Sequence, residues 1–106
     1  MQVQTTVSSE KDARKIANAS LEAKLAACVQ ILPCRSQYHW LGKVEEEQEF
    51  LCVLKTRRDL FDRLQALLCT LHPYEVPEIL ALEIVDGHAP YLQWLDQELD
   101  RTDIQP

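Results

Sequence analysis

The chain has 106 residues, and its hydrophobic share of 46% is enough for one compact domain spanning 1–106, with a core that needs no metal or disulfide. Eleven Lys and Arg against 17 Asp and Glu leave a net charge of −6, which excludes a partner tracked through phosphates, so no nucleic acid is expected. No apolar run reaches the roughly 20 residues that cross a bilayer, and with only Gly42 and Gly87 there is no glycine-rich phosphate loop.

Along the chain, Val3, Thr5 and Val7 alternate with polar or small residues and predict a short first strand. Ser9 followed by Asp12 resembles a capping box, and Ala13, Ile16, Ala17, Leu21 and Leu25 trace one face of the helix that follows. A long strand is predicted from Cys28 to about Leu41, bulged or at a sheet edge because Pro33 removes a ladder donor. Leu41-Gly42-Lys43 turns the chain into a second strand, about Val44 to Thr56, making a hairpin. Leu60, Phe61, Leu64, Leu67, Leu68 and Leu71 form a helical stripe over 58–71, with Thr56 and Asp59 as its expected cap and Pro73 as its stop. A last strand is expected from Ile79 to Val85. A closing helix with Pro90 in its first turn then turns Tyr91, Trp94, Leu95 and Leu99 inward.

The order β-α-β-β-α-β-α describes an α+β, ferredoxin-like split βαβ with a C-terminal helix and one antiparallel sheet. Its helices cover a single face, yet Phe50-Leu51-Cys52-Val53-Leu54 is apolar on both faces of its strand. No element is left to cover the second face, so another copy of the chain is the expected cover and a homo-oligomer the expected state.

Cys28, Cys34, Cys52 and Cys69 contain no CxxC pair, which removes zinc-ribbon, thioredoxin-type and copper-chaperone readings. Cys28 and Cys52 read as packing residues, and Cys34, just after Pro33, as the reactive thiol of the four. Reduced thiols, and an N-terminus without the basic and apolar parts of a secretory signal, set a cytoplasmic expectation with no membrane partner. His39 and His88 read as surface or interface residues. In Glu45-Glu46-Glu47-Gln48-Glu49, alternation divides the charge between two faces of a solvated arm. No catalytic Ser-His-Asp or Cys-His arrangement is legible, and Thr6-Val7-Ser8-Ser9-Glu10 lacks the arginine-bearing loop of an acylphosphatase, so no enzyme is expected.

The stiff connector His72-Pro73-Tyr74-Glu75-Val76-Pro77-Glu78-Ile79 is the most unusual stretch. Together with Leu25-Ala26-Ala27-Cys28-Val29, Tyr38-His39-Trp40-Leu41-Gly42-Lys43, Lys55-Thr56-Arg57 and Tyr91-Leu92-Gln93-Trp94-Leu95, it resembles the CutA divalent-cation (copper) tolerance family along almost the whole chain. The resemblance implies a homotrimer in which long strands of neighbouring protomers pair around a threefold axis. It implies a response to copper or another divalent ion, none of it required for folding. It also implies an architecture like that of the PII signalling proteins, so the alternative is a signalling or scaffolding trimer that binds a metabolite or protein partner. Some bacterial members bind copper through the histidine of this block, a histidine just before it and a first-strand cysteine. Here those positions hold His72, Leu71 and Thr5, which leaves His72 as the candidate metal ligand, with Cys34 a lesser one. Lys55, taken as an ammonium buried at the end of an apolar strand, is expected to line an intersubunit cleft with Trp40, Tyr74, Glu75 and Glu78, open to a small anionic ligand.

Overall fold

The computed structural model describes residues 1–101. Strand β1 (Gln2–Val7) leads into helix α1 (Glu10–Glu22), then the hairpin of β2 (Cys28–Trp40) and β3 (Lys43–Lys55). Helix α2 (Phe61–Leu71), the short strand β4 (Leu80–Leu82) and helix α3 (Ala89–Gln97) complete the chain, and the order is the expected one. All pairings are antiparallel in a sheet ordered β2-β3-β1-β4.

Alternation decides what the sheet buries. Val3, Thr5 and Val7 of β1 lie level with Leu54, Cys52 and Phe50 of β3, and this face meets the helices. Ile16 of α1, Leu60, Leu64 and Leu68 around α2, and Leu95 and Leu99 from the C-terminal segment close the core over it. Burial in that core raises the Cys52 thiol to about 11, so it stays a protonated packing group. The opposite face carries no helix among the described residues. There Leu32, Leu80 and Leu82 remain 47%, 51% and 45% exposed, flanking Leu51 and Val53 of β3. This is the apolar surface that periodicity leaves without cover.

Local chemistry accounts for most boundaries. Ser9 caps α1, its hydroxyl accepting from the Asp12 amide at 3.1 Å. Leu41 (φ +50°) and Gly42 (φ +77°) make the two-residue turn of the hairpin, with positive φ at both central residues. Pro90 stands in the first turn of α3.

Of the two readings of Pro33, the sheet edge holds: the β2–β3 register runs unbroken from Cys28↔Lys55 to Trp40↔Lys43, and the free edge of β2 accommodates the proline without a bulge. Five other expectations are corrected. The last strand shrinks from Ile79–Val85 to Leu80–Leu82: Leu82 lies opposite Gln2, where β1 begins, so the residues after it have no β1 partner. The helix expected over 58–71 opens with a 3₁₀ turn, Arg58–Leu60. Thr56 does not cap it: its hydroxyl is buried without a partner among the described residues, while Asp59 is held by Arg57 at 2.9 Å. In α1 the inward position expected of Leu21 belongs to the buried Ser20, and Leu21 is exposed. Of the expected inward face of α3, Leu95 is buried, whereas Tyr91 and Trp94 stay about two-fifths exposed in the single protomer.

Candidate functional site

The connector 72–79 leaves the end of α2, passes the point where β1 stops at Val7, and reaches β4 at the sheet's other edge. Beyond Val7 the β2–β3 arm continues alone, and the connector lies beside it. Two prolines hold it there.

His72 anchors this arrangement. Its Nδ1 accepts from the backbone amide of Tyr74 at 3.1 Å, which leaves the ring proton on Nε2, 3.0 Å from the Thr5 hydroxyl. The rings of His72 and Tyr74 are tilted against each other, 4.9 Å between centroids. Burial pushes the imidazole pKa below its usual value, against the opposing pull of the Thr6 backbone and the charges of Asp12 and Glu49. From Tyr74 the chain of contacts continues: its hydroxyl donates to Oε2 of Glu49 at 2.7 Å. Burial, then this bond to Glu49, raises the Tyr74 phenol well above its ordinary range, so it remains a donor.

The two positions that the resemblance implies as ligands do meet, since Thr5 touches His72. They meet as a hydrogen bond. Thr5 and Leu71 bring no thiolate or imidazole, and both nitrogens of His72 are engaged within the protomer. One imidazole with its lone pair already in use does not fit a tightly held transition-metal ion, which takes several convergent nitrogen or sulfur ligands. Among the described residues no three His, Cys, Asp or Glu side chains converge on one point. Cys34 is half-buried opposite Glu49, on the face without helices. His39 and His88 are both exposed, as expected.

A cleft of about 760 Å³ lies between arm and connector. Trp40, Tyr74, Glu75 and Glu78 all line it, together with Tyr38, Glu47 and Glu49. Lys55 does not. It ends β3 twelve residues from Lys43, the partner of Trp40, which is about 40 Å along the strand. Nor is its ammonium buried: the amine reaches the Gln30 side-chain oxygen at 3.2 Å in an exposed position. Within one protomer the cleft walls are therefore acidic and aromatic, with Arg35 as the lining cation, and an anionic ligand finds little there to neutralise it.

Glu49 is the residue that sequence reasoning misplaced. Read as part of a solvated acidic arm, it is 5% exposed. The signal was present in its position, directly before Phe50 and in line with Leu51 and Val53 at period two. Arg57 was passed over as well. It reaches Asp59, Asp96 at 3.1 Å and the Asp100 carbonyl, tying the end of β3 to the chain after α3.

Comparison with known proteins matches residues 1–98 to the model of a family described as CutA1 divalent ion tolerance protein. The divalent-cation tolerance protein CutA of Thermus thermophilus is 50% identical over 91 residues, 85% of this chain and 88% of that one. Human protein CutA is 45% identical over 93 residues, but the chain spans only 52% of that protein's length. A solved structure of the Thermus thermophilus divalent cation tolerance protein superposes with a TM-score of 0.90 at 47% identity, covering 94% of this chain and all of that one. None of these names carries an enzymatic activity.

Proposed function

Since the chain belongs to the CutA1 divalent ion tolerance family, we propose that it serves tolerance of divalent cations as a cytoplasmic homotrimer that binds copper or a related ion weakly. The observation that carries this reading is the family match over residues 1–98, at 50% identity to the Thermus thermophilus relative. The trimer draws support from the uncovered sheet face, where Leu32, Leu80 and Leu82 cost solvation free energy in a lone protomer. Four free cysteines, one of them exposed, suit a reducing compartment.

Weakness follows from the donor set. An ion approaching His72 competes with the Tyr74 amide for the lone pair of Nδ1, or must displace the proton on Nε2 that faces the Thr5 hydroxyl. Calorimetric titration with Cu²⁺ tests the reading on wild type, His72→Ala and Cys34→Ser. The expected result is a shallow wild-type isotherm, weakened by one of the two substitutions. Identical isotherms for all three would remove both residues from metal binding. Light scattering on the same samples is expected to give three times the protomer's 12.2 kDa.

A further inference from the structure

We propose that the cleft is completed in trans: Lys55 of a neighbouring copy of the chain supplies the counter-charge to Glu49. The proposal rests on the homotrimer reading and adds to it a residue pair and a direction of packing.

Three observations meet here. Glu49 is more than nine-tenths buried in the single protomer, its carboxylate held by one hydrogen bond from Tyr74, with no cation in ion-pair reach among the described residues. A buried carboxylate lacking a positive partner is costly, and a surface that keeps one has a cation arriving from elsewhere. Lys55 is the complementary case: half-buried, bonded to a neutral amide and, among the described residues, to no carboxylate.

Both lie on the helix-free face of β3, at alternate positions with Leu51 and Val53 between them. Six residues of one extended strand separate them by about 20 Å, so they cannot meet within a chain. The strip between them is the apolar patch bounded by Leu32, Leu80 and Leu82. A second copy laid over that strip dries it and brings one protomer's Lys55 to the next one's Glu49. In a closed ring each copy gives one lysine and receives one, so no pair is left over. Lys43 stands equally far from Glu49 on the other side, at the hairpin tip where Leu41 and Val44 are 86% and 65% exposed. Between Lys43 and Glu49, however, the same face of β3 carries Glu45 and Glu47, so a copy laid there meets carboxylates in place of Leu51 and Val53.

The test is a dilution series followed by native mass spectrometry, with circular dichroism confirming that each variant folds. Lys55→Gln and Glu49→Gln are each expected to raise the protomer concentration at half-assembly at least about tenfold. The reversed pair, Glu49→Lys with Lys55→Glu, is expected to recover most of that loss, and Lys43→Gln to change it less than about twofold. Lys55→Gln guards against a folding artefact, because the Lys55 amine is exposed in the protomer. If wild type assembles and the single variants match it, or the reversed pair is as weak as either, the trans pair is wrong while the trimer stands. A wild-type protein that stays a protomer at micromolar concentration removes both.

Discussion

At the scale of single residues, hydrogen bonding decides between two roles for His72. Neutral, it accepts from the Tyr74 amide through Nδ1 and donates toward Thr5 through Nε2. Protonated, Nδ1 becomes a donor facing a donor, and that bond is lost. The lowered native pKa has a definite sign in stability. Above the unfolded value of about 6.5 both states are neutral and the native bonds are intact. As pH falls through 6.5 toward the lower native value, the unfolded chain takes up the proton first, and stability drops. Thermal melts from pH 8 to 5 should therefore show a falling Tm in wild type and a flatter profile in His72→Gln. Parallel profiles would show that some other group titrates. The identity of His72 as the connector's key residue was legible in the sequence. Its partners were not, because Thr5 and Tyr74 approach it only once β1 and the connector are packed together.

Secondary-structure elements show a similar division. Capping of α1 by Ser9, the turn at Leu41-Gly42 and the stop before Pro73 are local effects, and each was readable from neighbouring residues. The extent of β4 was not, since it depends on where β1 ceases to offer partners, some 75 residues earlier in the chain. The same holds for the start of α2. Thr56 is drawn into the core, and the polar work passes to Arg57, whose guanidinium joins Asp59, Asp96 and the Asp100 carbonyl. Arg57 thereby clamps α3 over the core through Leu95 and Leu99. Replacing it with Ala is expected to cost about 1–3 kcal/mol, as charge-assisted hydrogen bonds do. Arg57→Lys should recover little of this, because a compact ammonium lacks the guanidinium's wide, rigid fork of donors that reaches Asp59, Asp96 and Asp100 at once. Urea denaturation measures the loss, and amide exchange should place it in α3. Exchange that quickens equally in every element would argue against a local clamp.

For the whole molecule the decisive balance is between charge and apolar surface. Each chain carries −6, so the proposed gathering of three copies would concentrate negative charge, which opposes assembly. The opposing term is the helix-free face, where burying a leucine that is half exposed contributes about 1 kcal/mol, a fraction of the 1.5–3 for full burial. Leu80 is well placed to test this balance. It is 51% exposed, on edge strand β4, and absent from the core formed by the helices. Leu80→Asp adds a charge that water already reaches in the protomer, so the fold should survive with its far-UV spectrum unchanged. In the assembly the same carboxylate must lose its water, at a cost of several kcal/mol per copy without a partner. The apolar gain cannot offset that, and light scattering should return the single-protomer mass at concentrations where wild type is assembled. A Leu80→Asp protein that keeps the wild-type mass would mean that this face is not the one that assembly covers.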